Sequence, residues 1–464
     1  MILGNIKRLF ILYISVFIAL ILPTYFQITG NFSPITLSAS IYAFSLFLVL
    51  ICCLGRFSLY NPIFLFCFLQ LTIYSTSWIS SITIVNFSGD TLMGMSSDDT
   101  KNAIAKYFLL STLWLFVATL SYFGSRALTN WRAKDQMVDY KTIGIFIVFI
   151  SFMSFFLVLE KFDSVFDMLL QRQLTRADRI YAEDGRHLFM VAQAGILGLL
   201  FWGLFDNKFY KSYLFLGLFF VTVLVGFIVS GNRTSIVMSF LMAYFCWFYH
   251  TGRVFSLKLV FVVFLIFLAI SVASDIRSVG FESVASEKKE LNISSRIKGL
   301  LDLRMERATV GNAKFGVISH IDDNGGPYIL GESYYSVLFI PIPSALLDGQ
   351  KPYAGGRLAA KKLAGRDDTA WPIGHVVEAY WNFGYLGVFL NALIFGFLAK
   401  TVRNIVINNP RSVTVVLSYM YFVFFFSLGS DGFYKFFQGF IPIVLIYQLV
   451  TRLRLLKIKK DPNG

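Results

Sequence analysis

Long apolar runs separated by short polar stretches recur from one end of the chain to the other, and they are too uniformly apolar to be one face of soluble helices. Runs of roughly 15 to 24 residues, the length of a bilayer crossing, occupy positions 9–28, 35–54, 59–79, 107–124, 142–159, 188–205, 213–229, 235–249, 259–273, 376–399, 413–428 and 436–450. Inside lipid each must be helical, because the backbone finds no water to bond. The pattern predicts an all-α, polytopic integral membrane protein with about 12 transmembrane helices at ~20 residues each. The rhythm breaks once, over about 100 residues of mixed polarity before position 376. The organisation that follows is 1–274 for the first nine helices, with a polar loop at 160–187. A large extramembrane loop covers 275–375, and the last three helices with a basic tail cover 376–464.

Composition agrees with the pattern. Hydrophobic residues make up 56% of the chain, charged residues 15%, and 51 positions are Phe, more apolar surface than a soluble core absorbs. Lys7 and Arg8 precede the first run, which lacks an Ala-x-Ala exit and reads as a retained span rather than a cleaved signal. Cys52, Cys53, Cys67 and Cys246 all lie inside apolar runs, where they act as small hydrophobes, not as a disulfide framework or zinc site.

The net charge of +14 sits in short blocks between runs, so it reads as topology and not as nucleic-acid binding. With the N-terminus inside, the cytoplasmic segments hold 19 of the 41 Lys and Arg and only four acids, Asp135, Asp139, Asp206 and Asp461. The short outer loops carry 9 basic residues against 10 acids, and the large loop 13 against 12. Both termini are therefore expected in the cytoplasm. The runs are almost empty of ionisable groups; Glu378 alone lies just inside one. That distribution disfavours passage of a charged cargo through the bilayer and points to chemistry at the outer surface.

Three polar features lie on that side. In the loop at 160–187, Arg172, Arg176 and Arg179 share one face of a helix while Phe162, Phe166 and Leu169 cover a neighbouring face. Such a stripe binds a diphosphate through the planar guanidinium fork; equally, Asp163, Asp167, Asp178, Glu183 and Asp184 make it an acid-balanced, solvated helix. The tight turn Gly231-Asn232-Arg233-Thr234 sets an arginine at the headgroup plane, as a lipid anchor or a diphosphate contact. At the mouth of the tenth run, His375 and Glu378 are three apart and share a helix face. A carboxylate there serves as a general base or as a helix-start acid in a structural pair. His187 and His320 stand alone on the outer side. No phosphate-binding glycine loop, nucleophile elbow, metal-ligand cluster or Asp-x-Asp is present, which favours a metal-independent, cofactor-free mechanism.

Taken in order, the arginine-bearing loop Arg172 to Arg186, the turn Ser230-Gly231-Asn232-Arg233, Gly331-Glu332-Ser333-Tyr334-Tyr335 leading to Ile340-Pro341-Ile342-Pro343 and Lys351-Pro352, and Glu378-Ala379-Tyr380-Trp381-Asn382-Phe383-Gly384-Tyr385-Leu386-Gly387 resemble the Wzy-type O-antigen polymerases. The likeness covers residues 160 to 400. Ile342 and Pro343 stand where that family often has an arginine after the proline, which weakens one phosphate contact.

The resemblance implies a GT-C-like glycosyltransferase of the bacterial inner membrane, with its active site facing the periplasm. Such an enzyme transfers a growing glycan from undecaprenyl diphosphate to a lipid-linked repeat unit, in lipopolysaccharide or other polysaccharide biosynthesis. Its partners would be that donor and acceptor, the bilayer and a chain-length regulator. On this reading Arg172, Arg176, Arg179 and Arg233 hold the diphosphate, Glu378 or His375 acts on the acceptor hydroxyl, and the loop aromatics, Tyr334, Tyr335 and Trp371 above all, stack on sugars. An O-antigen ligase has the same topology and a different acceptor; a lipid-linked oligosaccharide flippase would need basic residues inside its spans.

The charge asymmetry is directly testable. Reporter fusions after residues 130, 209 and 255 should report cytoplasm, and those after 95, 180 and 320 the outside. A cytoplasmic signal at 320 would put the candidate chemistry on the wrong face.

Overall fold

The computed structural model describes residues 33–53, 60–71, 97–126, 140–160, 186–230, 233–251, 313–322, 325–339, 352–365, 371 and 373–409, with isolated positions at 342 and between 412 and 423. The predicted first, ninth and twelfth spans, the arginine loop over 161–185 and the segment 252–312 lie outside the described residues. Every regular element among the described residues is helical: α1 (Pro34–Cys53), α2 (Pro62–Leu69), α3 (Ser97–Gly124), α4 (Tyr140–Leu159), α5 (Arg186–Gln193), α6 (Gly195–Phe205), α7 (Tyr213–Ser230), α8 (Arg233–Thr251), α9 (Ala313–Asp322), α10 (Glu332–Tyr335), α11 (Gly355–Ala364) and α12 (Gly374–Asn408). Four of the helices described are long and apolar enough to cross a membrane, within Pro34–Cys53, Asp98–Gly124, Lys141–Leu159 and Gly374–Asn408.

These helices carry apolar side chains outwards. Along α3, Leu109, Phe116, Leu120 and Phe123 are each more than half exposed, at spacings that line one helix face. Phe146, Phe149 and Phe156 do the same on α4, with Met153 nearly half exposed beside them. Water does not tolerate stripes of this size; hydrocarbon does.

The chain divides into two compact units, 1–134 with 301–447 and 135–300 with 448–464. In the first unit α3 is the central helix. It begins with Asp98 and Asp99 in its first turn, where negative charge suits the dipole. The α2 helix starts where Asn61 caps it, its Oδ1 accepting from Ile63 N at 3.1 Å, with Pro62 at the first helical position.

The α3 and α12 helices run in the same direction. Trp114 Nε1 donates to Asn391 Oδ1 at 2.8 Å, Ser121 Oγ to Leu393 O at 2.7 Å, and the Lys400 ammonium lies 5.1 Å from the Tyr122 ring centre. A Cβ on Gly396 would stand 2.2 Å from Ala118 O, so only glycine permits this approach.

One expectation is corrected here. The run 376–399 reads as a single span, but α12 is two helical limbs joined at Phe383 (φ −143°, ψ 22°) and Gly384 (φ 62°, ψ −146°). His375 and Phe395 both pack on the Trp114 ring, at centroid distances of 4.7 and 4.8 Å, whereas an unbroken helix would hold them roughly 30 Å apart. A Cβ on Gly387 would lie 2.1 Å from Ala379 O. The limb 374–382 therefore runs back alongside the limb 385–408 as a helical hairpin whose tip lies at the level of Lys106 in α3. Apolar periodicity is blind to this reversal, since both limbs are apolar.

In the second unit α4 packs antiparallel to α5 and α6. Gly144 and Gly198 bring the two backbones together, a Cβ on either falling 2.3 or 2.4 Å from the other's carbonyl oxygen, and Ser151 Oγ donates to Ala192 O at 2.6 Å. Small residues and a hydroxyl at a crossing are what associates helices in lipid, where no hydrophobic force separates helix from solvent. The predicted sixth span tightens at Ala194, with Ala194 N donating to Val191 O at 2.9 Å. Beyond it α7 and α8 alternate in direction, joined by ring contacts such as Phe219 with Phe240 at 5.2 Å. Near the other end of α8, His250 Nε2 sits 2.8 Å from Gly203 O.

Gly144→Leu and Gly198→Leu are expected to destabilise the protein by about 3 kcal/mol or more, since neither backbone can yield. Gly217→Ala, with nothing within 4 Å of the added Cβ, should be neutral or stabilising by up to ~1 kcal/mol from helix propensity. Thermal unfolding of detergent-purified variants compares them; equal losses at all three positions would refute the close crossing.

Candidate active site

The hairpin tip is where the first unit concentrates buried polarity. A helix end leaves carbonyls without partners, and here a strap over 327–331 supplies donors: Ile329 N to Trp381 O at 3.0 Å and Leu330 N to Asn382 O at 3.2 Å. To make both bonds the strap adopts left-handed backbone at Leu330 (φ 45°) and Gly331 (φ 92°), a cost for leucine of about 1–2 kcal/mol. Asn382, fully buried, closes the joint. Its Oδ1 accepts from Gly331 N at 2.8 Å, and its Nδ2 donates to Ser333 Oγ at 2.8 Å and Glu378 O at 2.7 Å.

Glu378 lies midway along the first limb and is 3% exposed. Its carboxylate abuts the first residue of α11: a Cβ on Gly355 would stand 2.5 Å from Glu378 Oε1. Ala354 gives that helix no side-chain cap, so the carboxylate meets an N-terminus whose dipole favours negative charge. Burial raises the Tyr334 phenol above its usual range, and the charge of the neighbouring Glu378 adds to that effect, with Asn391 opposing it. Glu378, Tyr334 and Asn391 thus form one buried polar group. His375 is buried too, but among rings: Trp114 edge-on at 4.7 Å and Phe66 at 5.9 Å.

On the opposite side of the limb Tyr380 OH donates to Asp322 Oδ1 at 2.7 Å. Lys106 Nζ donates to Tyr380 OH at 2.7 Å and to Asp322 Oδ2 at 2.5 Å. This fork ties α3, α9 and α12 together. The same ammonium lies 4.7 Å from the Tyr380 ring centre and 5.4 Å from that of Tyr385.

Tyr335 is exposed and meets Phe339 edge-on at 4.7 Å. Trp371 is half-buried, its backbone N–H donating to Gly356 O at 2.8 Å. Arg233 opens α8 in the second unit, and its side chain, like Arg172, Arg176 and Arg179, lies outside the described residues. Among the described residues no three His, Cys, Asp or Glu side chains converge on a point that would hold a metal ion.

Lys106, Asp322, Tyr380 and Asn382 escaped the sequence reading as site residues. Lys106 and Asp322 are 216 positions apart and each is one charge among many in outer loops. Asn382 carried a usable signal, a polar amide beside a glycine inside an apolar run.

Asn382→Ala should strand Gly331 N and Ser333 Oγ and cost about 2–3 kcal/mol. Gly355→Ala should displace the Glu378 carboxylate while leaving α11 helical. Thermal unfolding checks the first and cysteine accessibility at Glu378→Cys, with and without Gly355→Ala, the second; an unchanged labelling rate would break the assigned contact. No family model matches this sequence and neither curated proteins nor solved structures give a match, so the functional reading rests on these residues and their geometry.

Proposed function

We propose that this chain is a metal-independent glycosyltransferase that polymerises lipid-linked oligosaccharide repeat units of O-antigen or a similar surface polysaccharide. It would act at the periplasmic face of a bacterial inner membrane, in the GT-C manner, with both termini cytoplasmic. The observation that carries the reading is the buried Glu378 carboxylate on the first limb of the hairpin, set against the start of α11. The resemblance of the 160–400 segment to the polymerases supports the same reaction.

In that reaction an acceptor hydroxyl oxygen attacks the anomeric carbon of the donor glycan, and the bond from that carbon to the undecaprenyl diphosphate oxygen breaks. The diphosphate leaves with the bonding electrons. Glu378 takes the hydroxyl proton, and its place against the α11 N-terminus favours the charged form that can accept it. The aromatic surround of His375 suits it to fixing the limb. Arg172, Arg176, Arg179 and Arg233 are assigned to the leaving diphosphate, whose developing charge they would stabilise. Tyr334, Tyr335 and Trp371 are assigned to sugars, and a chain-length regulator is the expected protein partner.

Deletion of the gene should leave surface lipopolysaccharide carrying single repeat units, read on a gel. Bare core with polymer held on the carrier would instead identify a ligase, and repeat units trapped on the cytoplasmic face a flippase. Glu378→Gln should lower polymer formation by about 10² or more at unchanged protein level. Arg233→Lys and Arg176→Lys keep charge but lose the fork, and the alanine variants should fall by about 10² to 10³. Normal ladders from Arg233→Ala at normal expression would remove that arginine from the site.

A further inference from the structure

The Lys106–Asp322–Tyr380 fork has a second aspect beyond tying three helices together. The Lys106 and Asp322 side chains are each 24% exposed, an exposure at which an ion pair by itself adds little stability, and both keep hydrogen-bonding capacity towards solvent. Two tyrosines flank them: Tyr328 is 43% exposed and Tyr385 57%. Both rings meet Tyr380 edge-on, at centroid distances of 6.2 and 5.5 Å.

The arrangement is held in advance of any ligand. Tyr328 lies over the hairpin tip, where a Cβ on Gly384 would stand 3.1 Å from its hydroxyl, and its neighbour Ile329 is bonded to Trp381 O. Tyr385 is the first residue of the limb 385–408, set by the same tip. Aromatic faces supply apolar contact area at low entropic cost, with a carboxylate that accepts and an ammonium that donates at their edge. A pyranose needs the same elements, an apolar C–H face with hydroxyls around its rim. The fork pairs one positive with one negative charge, so it fits a neutral sugar better than a uronic acid or a phosphate.

We propose that Tyr328, Tyr385, Asp322 and Lys106 form a binding subsite for a neutral hexopyranose on the outer face of the hairpin. Asp322 accepts from vicinal sugar hydroxyls and Lys106 donates to a third. Tyr380 and Glu378 are two residues apart on one helix and so face away from each other. The subsite therefore holds a sugar removed from the reacting bond, as a repeat unit of several sugars requires. This assignment rests on the polymerase reading for its role, though not for its chemistry.

Saturation-transfer NMR on the full-length protein in nanodiscs tests it, with methyl glucopyranoside, galactopyranoside and mannopyranoside and with glucuronic acid as probes. At least one neutral glycoside should give enhancements above those of glucuronic acid. Tyr328→Ala and Tyr385→Ala should weaken them about tenfold, the loss of one stacked ring, while Tyr385→Phe retains them. Thermal unfolding of each variant guards against loss of fold. No neutral glycoside bound by the wild type, or equal signals from the alanine variants, would overturn the subsite whatever the gene deletion shows. Single-repeat lipopolysaccharide after deletion, alongside such a result, would leave the polymerase standing without it. Glycoside binding together with normal polymer in the deletion strain would uphold the subsite and remove the polymerase.

Discussion

A helix immersed in hydrocarbon breaks only where other groups take up the peptide bonds that the break releases, and the first unit is organised around one such place. At Phe383–Gly384 the carbonyls of Trp381 and Asn382 are met by two amides of the 327–331 strap. The strap must arrive from a distant part of the chain and must turn left-handed at Leu330 and Gly331 to reach them. Asn382 then joins strap, limb and α10 through a single side chain. Remove this compensation and the reversal has no support, since an unpaired peptide group in an apolar setting costs several kcal/mol.

From the reversal follow the depth and the neighbours of Glu378. A continuous helix would hold His375 and Phe395 roughly 30 Å apart and give Glu378 other neighbours. The hairpin instead turns its limb inwards beside Trp114 and Phe395, so that Glu378 faces Tyr334 and the start of α11. The N-terminus of α11 offers compensation for burying the charge, and Gly355 is the residue without a side chain that lets the two approach. A structural and a chemical role for Glu378 are compatible, because the contact that stabilises the carboxylate also fixes its position.

The described helices of the second unit show the same physics. Its helices alternate in direction and meet through Gly144, Gly198, Ser151 and Ala192. In lipid, where apolar side chains gain nothing by leaving one hydrocarbon for another, close backbone approach and hydroxyl bonds carry the association. The core of Phe155, Val158, Ala192, Val225, Ile228 and Val229 then fills the space that approach leaves.

The sequence by itself determined that the chain is helical and apolar, because backbone satisfaction in hydrocarbon permits no other open element and the length of each run is set by bilayer thickness. It singled out Glu378, whose charge inside an apolar run is visible without any structure. The hairpin was hidden because hydropathy counts apolar residues and carries no sign of direction, so two short limbs and one long span score alike. Lys106, Asp322 and Tyr380 were hidden for a different reason: each is an ordinary residue in its local stretch, and they become a group only when the fold closes loops of more than 200 positions. Such contacts are decided by tertiary packing, since the attraction between two charges depends on distance in space, which the order of residues along the chain does not record.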